Sequence, residues 1–170
     1  DAGLEYTGAL KVLQMIFSYE YLWIQIRVKG GAYGCMCSFS DQGDSMFVTY
    51  RDPNLSESYK VYDEAADYVA DFDADDRDMK KYIIGTIGSM DMPMEAVDMG
   101  ARSFHAYFLG KTEADLQKVR DQVLSCTQED IRALAPIVKA VVEAGNRCCI
   151  GNEEKIDQNK EYFDEVKHVL

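Results

Sequence analysis

At 170 residues, with 47% apolar and 28% charged side chains, the chain has the length and composition of one domain with a substantial core. Its 18 basic and 30 acidic residues give a formal charge of -12, which argues against nucleic acid or an anionic membrane surface as a partner. No apolar run reaches membrane-spanning length, and DAGLEYTGAL has neither the basic start nor the apolar stretch of a secretory signal.

The five cysteines are odd in number and fall at Cys35, Cys37, Cys126, Cys148 and Cys149, a spacing that gives no small disulfide framework. A reducing, cytoplasmic setting is the expectation.

Over residues 6–26 the apolar positions Leu10, Leu13, Ile16 and Phe17, then Tyr21, Leu22 and Ile26, recur three or four apart. That spacing predicts one helix, or two with a break near Ser18. Gly30 and Gly31 stop it, because glycine readily takes the left-handed conformation that closes helix ends. Residues 33–40 and 45–51 read as an antiparallel hairpin around the turn DQGD. Asn54, with Glu57 three residues on, predicts a capped helix carrying Tyr59, Tyr62, Ala66 and Val69 to about residue 72.

After the acidic stretch DFDADDRD a helix is expected over residues 79–87. Another, with Pro93 at its first position, should run to about residue 109. Thr112 caps the next, to residue 124, and Thr127 caps a longer one, to residue 144, that Pro136 should kink. Residues 147–150 read as a short strand and residues 153–170 as a final helix. The class is α+β, an antiparallel sheet packed with several helices, its strands too few to form a complete sheet alone.

Few constellations suggest chemistry. Asp71, Asp73 and Asp75 alternate as calcium ligands do, but Asp76 stands where the turn glycine belongs and Tyr82 where the closing glutamate belongs. An acidic linker is the better reading. Cys35 and Cys37 share a strand face without a second pair at ligand spacing, so small buried side chains are expected and not a metal site. His105 and His168 sit in no H-E-x-x-H or H-x-x-E-H motif, no serine lies in G-x-S-x-G, and KGGAYG lacks the ending of a phosphate loop.

Arg27 and Tyr33 remain, six residues apart across the double glycine. One reading is local: a cation favours a helix C-terminus, glycines cap it, and a tyrosine begins a strand. The other is that a fixed turn places a guanidinium and a phenol side by side, where both can donate hydrogen bonds to a carbonyl oxygen gaining negative charge.

EYLWIQIRVKGGAYG at residues 20–34, TYRDPNL at 49–55 and KKYIIGTIGSMDMP at 80–93 closely resemble the C-terminal domain of the pitrilysin/insulinase family of zinc peptidases, in its presequence-protease and falcilysin branch. YFLGKTEADLQKVRDQVL and CCIGNEEKI extend the resemblance over nearly the whole chain. It implies four related α+β domains in two halves closing around a chamber, with zinc held by H-x-x-E-H and a distal glutamate in the N-terminal part. It also implies that Arg27 and Tyr33 contact the substrate backbone near the scissile bond, with Gly30 and Gly31 fixing their spacing.

On that resemblance, residues 1–170 are a partial, non-zinc-binding C-terminal domain of a longer peptidase, lacking the family's opening strands. Its partners are the zinc-bearing half and peptide substrates. An open sheet edge is also a recognised route to pairing with a second copy of the chain. The family includes paired chains in which one partner has lost its metal site, so the alternative is a noncatalytic binding or scaffold subunit of a two-chain complex.

Overall fold

The computed structural model describes residues 3–168. Helix α1, Ala9–Ile16, buries Ala9, Leu10, Val12, Leu13 and Ile16 on one face. The chain then continues through two π-helical stretches, Phe17–Tyr21 and Trp23–Lys29. Ser18 Oγ donates to the Gln14 carbonyl at 2.7 Å, so this hydroxyl stays bonded along the helix. The structure therefore has a change of winding where the sequence suggests a break. π winding joins residues five apart, and the buried positions Phe17, Leu22 and Ile26 keep one face through it.

Strands β1, Gly34–Phe39, and β2, Ser45–Tyr50, pair antiparallel, with Gly34 opposite Tyr50 and Phe39 opposite Ser45. The Ser40 N–H donates to the Asp44 carbonyl at 2.7 Å and Gly43 takes φ +96, closing the turn as expected. Cys37 and Phe39 are buried on the helix side of the hairpin, while Met36 and Met46 are exposed on the other. Phe17 is at the centre of the core, fully buried, with the rings of Tyr21, Phe39, Phe47 and Tyr68 at centroid distances between 5.6 and 6.3 Å.

The helix expected to run to residue 72 divides at Glu64 into α2, Leu55–Asp63, and α3, Ala65–Ala70. Asn54 makes no side-chain cap, because its amide donates instead to the Gly30 carbonyl at 2.5 Å. Asp52 serves the helix start, accepting from the Asn54 N–H at 2.9 Å and the Ser58 hydroxyl at 2.5 Å.

Helix α4, Asp76–Met90, begins earlier than expected, since Asp75 accepts from the N–H groups of Arg77 and Asp78. The same cap gives the acidic stretch a structural role. Gly85 faces Met15, whose sulfur would lie in ordinary contact, 3.4 Å, from an added Cβ.

Pro93 is not the first residue of the next helix. Glu95 is extended and α5, Ala96–Phe108, starts after it. None of its residues is buried, and Val97, Phe104, Tyr107 and Phe108 are exposed. Thr112 and Thr127 each form the expected cap, with a reciprocal bond to Asp115 and Asp130, at the starts of α6, Glu113–Leu124, and α7, Gln128–Arg132. The predicted kink at Pro136 takes the form of a turn at Ala133 and Leu134, which keep helical angles and separate α7 from the next helix. Proline cannot donate to the Arg132 carbonyl and crowds it, so α8, Ala135–Glu143, takes Pro136 into its first turn.

Residues 147–150 pair with neither strand. Arg147 is held instead by Asp63 at 2.9 Å and by the rings of Tyr59 and Tyr162, with side-chain contacts fixing the segment where a ladder was expected. The final helix is short: α9, Glu153–Asp157, gives way to a 3-10 turn, Lys160–Tyr162, whose tyrosine docks on Tyr59 at 5.2 Å. Its expected continuation through residues 169–170 lies outside the described residues. Helix α1 packs on α4, α6, α7 and β1, giving the α+β class expected.

Candidate functional site

The end of the second π stretch is closed by nested bonds. Gly30 donates to Gln25 at 3.0 Å, Gly31 to Arg27 at 3.0 Å, and Ala32 to Ile26 at 3.1 Å. The two glycines have different tasks. Gly31 supplies the left-handed residue, at φ +78, whereas Gly30 keeps helical angles but lies where an added Cβ would be 2.5 Å from the Ile26 carbonyl oxygen. The Gly30 carbonyl, bonded to Asn54, ties the turn to the segment that follows the hairpin.

That turn brings Arg27 and Tyr33 together. The Arg27 guanidinium lies 4.5 Å from the Trp23 ring and 5.5 Å from the Tyr33 ring. Both contacts are cation–π geometries, each worth about 0.5–1 kcal/mol at an exposed site, and they hold a long side chain in one direction. Tyr33 is 63% exposed, and its N–H donates to the Arg51 carbonyl at 3.3 Å. Its ring meets Tyr50 edge-on at 5.9 Å. Among the described residues the Tyr33 hydroxyl has no hydrogen-bond partner and Arg27 no carboxylate partner.

Sequence reasoning missed Trp23, Tyr50 and Arg51. Arg51 takes φ +49, the one left-handed non-glycine among the described residues, and its guanidinium lies 5.8 Å from Tyr33 and 5.3 Å from Tyr50. A signal for it existed: counting back from the DQGD turn in register sets Gly34 against Tyr50 and therefore Tyr33 beside Arg51. Trp23 precedes Arg27 by one helical turn, close enough to stack.

The other candidates do not join this cluster as metal ligands. Burial pushes the Cys37 thiol up to about 12, and it raises Cys35 too, with the neighbouring Arg27 opposing the rise. Protonated thiols are poor metal donors. Among the described residues no group of three or more His, Cys, Asp or Glu side chains is placed to hold a metal ion. No helix among them is long and apolar enough to cross a membrane.

The family model described as the PreP C-terminal domain matches residues 1–152. The chain is 41% identical over 168 residues to Protein HypA of Clostridium perfringens, covering 99% of this chain and 17% of that protein. It is 33% identical over 174 residues to Presequence protease 1, chloroplastic/mitochondrial, of Arabidopsis thaliana, covering 100% of this chain and 16% of the relative. A mitochondrial presequence protease of Aspergillus fumigatus is 34% identical over 151 residues, 88% of this chain and 14% of its own length. The chain thus spans less than a fifth of each of these relatives. It belongs to the presequence-protease family and matches that family's C-terminal domain.

Proposed function

We propose that residues 1–170 are the substrate-binding, non-zinc-binding C-terminal part of a zinc-dependent endopeptidase or oligopeptidase that degrades peptides in a closed chamber. Arg27 and Tyr33 hold the peptide near the scissile bond. The observation that carries this reading is the Arg27 guanidinium packed 5.5 Å from the Tyr33 ring, with the polar end of each side chain unpaired.

Two donors fixed on one turn suit a carbonyl oxygen whose negative charge grows as it is attacked. A guanidinium and a phenol hydroxyl donate hydrogen bonds, so the pair is suited to stabilising charge and not to abstracting protons. The zinc and the base belong, on this reading, to the N-terminal half of the same polypeptide, where the metal makes bound water nucleophilic. The isolated chain is accordingly expected to show no chelator-sensitive peptide cleavage. A cytoplasmic setting belongs to the same reading.

A substrate peptide with a photoreactive residue beside its scissile bond tests the assignment in the full-length enzyme, with turnover blocked by chelation. Crosslinks are expected at Trp23, Tyr33 or Tyr50. Labelling confined to segments outside residues 23–51 would remove the basis for the reading.

A further inference from the structure

We propose that Arg51, beside Tyr33 and Arg27, binds a carboxylate of the bound peptide. This inference rests on the reading that substrate lies along Tyr33, and makes Arg51 a specificity-determining residue beside the pair that meets the scissile bond.

Two guanidiniums share one ring: Arg27 at 5.5 Å and Arg51 at 5.8 Å from the Tyr33 centroid. In a chain of net charge -12, acids are plentiful, and Arg120, Arg132 and Arg147 each find one, on Asp91, Asp73 and Asp63. Arg27 and Arg51, like Arg77 and Arg102, have no ion pair among the described residues, but these two share one aromatic ring. The acid next in sequence, Asp52, is turned to other work, accepting from the Asn54 N–H and the Ser58 hydroxyl. Two guanidiniums near one ring raise the positive potential there, which favours an anion.

The direction of Arg51 is also set. Its backbone takes φ +49, a conformation that side-chain-bearing residues rarely adopt, and its carbonyl accepts the Tyr33 N–H at 3.3 Å. Tyr50 supports its guanidinium at 5.3 Å. Planar guanidinium forks match the two oxygens of a carboxylate, and stacking on aromatic faces leaves their N–H edges free to donate. A peptide offers that chemistry in two forms, its C-terminal carboxylate and the side chains of Asp and Glu.

The test uses the full-length enzyme with Arg51 intact, as Arg51→Gln and as Arg51→Lys. One peptide is supplied with a free C-terminus or a C-terminal amide; an amidated series carries Glu or Gln at positions flanking the cleaved bond. The readout is the ratio of kcat/KM between each carboxylate peptide and its neutral partner.

The unaltered enzyme is expected to favour one carboxylate form by roughly tenfold or more. That ratio should collapse toward one in Arg51→Gln and return in part in Arg51→Lys. The arm that shows the preference identifies the source of the carboxylate. No preference in the unaltered enzyme, or an equal fall for both forms in Arg51→Gln, overturns the proposal; the latter result would make Arg51 a support for Tyr33 alone. Parallel assays of Arg27→Ala and Tyr33→Phe on neutral peptides separate the two readings. Full turnover in those variants with the Arg51 ratio intact sinks the scissile-bond assignment and leaves the carboxylate site standing.

Discussion

Replacing Arg27 by alanine, or Tyr33 by phenylalanine, in the full-length enzyme is expected to lower kcat by about 100- to 1000-fold, the usual consequence of losing one donor to a developing oxyanion. The expectation follows from the turn. An arginine side chain carries about 2 kcal/mol of rotamer entropy, and stacking on Trp23 and Tyr33 restricts the guanidinium before substrate arrives. Tyr33 is fixed by its N–H bond to the Arg51 carbonyl and by edge-on contact with Tyr50, so removing its hydroxyl subtracts a donor and leaves the ring packing. Zinc content should stay unchanged, because neither residue belongs to a group able to hold metal. Unchanged turnover in both variants would leave the local reading, a helix stop feeding a strand.

Phe17→Ala should destabilise the fold by about 3–5 kcal/mol, the range for removing a large aromatic side chain from a packed core. Phe17 is wholly buried at the passage from α to π winding and touches the rings of Tyr21, Phe39, Phe47 and Tyr68. It therefore joins the first helix, both strands and α3 at one point. A domain with a total stability of about 5–15 kcal/mol would lose a large fraction of it. Urea unfolding followed by far-UV circular dichroism measures the shift; a loss below about 1 kcal/mol would mean that the aromatic cluster does not hold the hairpin to the helix.

The parts of the fold legible in the sequence are those fixed by neighbouring residues. Thr112 and Thr127 announce their helices because a cap needs only the next three residues, and DQGD closes the hairpin for the same reason. The α face of Leu10, Leu13 and Ile16 is likewise local. The π winding is not, since Phe17, Leu22 and Ile26 fit a helical face read at either pitch. Residues 147–150 have the apolar character of a strand but pair with neither β1 nor β2, and Arg147 is instead engaged across the fold with Asp63. The apolar positions of α5 are legible as a face, yet the described residues leave Val97, Phe104 and Phe108 exposed.

The site divides in the same way. Arg27, the glycines and Tyr33 are close in sequence, and one turn explains their meeting. The separate tasks of Gly30 and Gly31 are visible only in three dimensions, where a carbonyl oxygen approaches one and a positive φ falls on the other. Tyr50 and Arg51 reach the site through strand pairing, so finding them requires a register as well as a motif.

The central claim is that Arg27 and Tyr33 act as one unit on one carbonyl, and a double-mutant cycle of kcat in the full-length enzyme tests it most directly. If both donors serve the same oxygen, the Arg27→Ala, Tyr33→Phe double variant should fall little further than the more damaged single variant, with zinc content constant throughout. Single effects that multiply fully in the double variant, or that are absent, would contradict the claim.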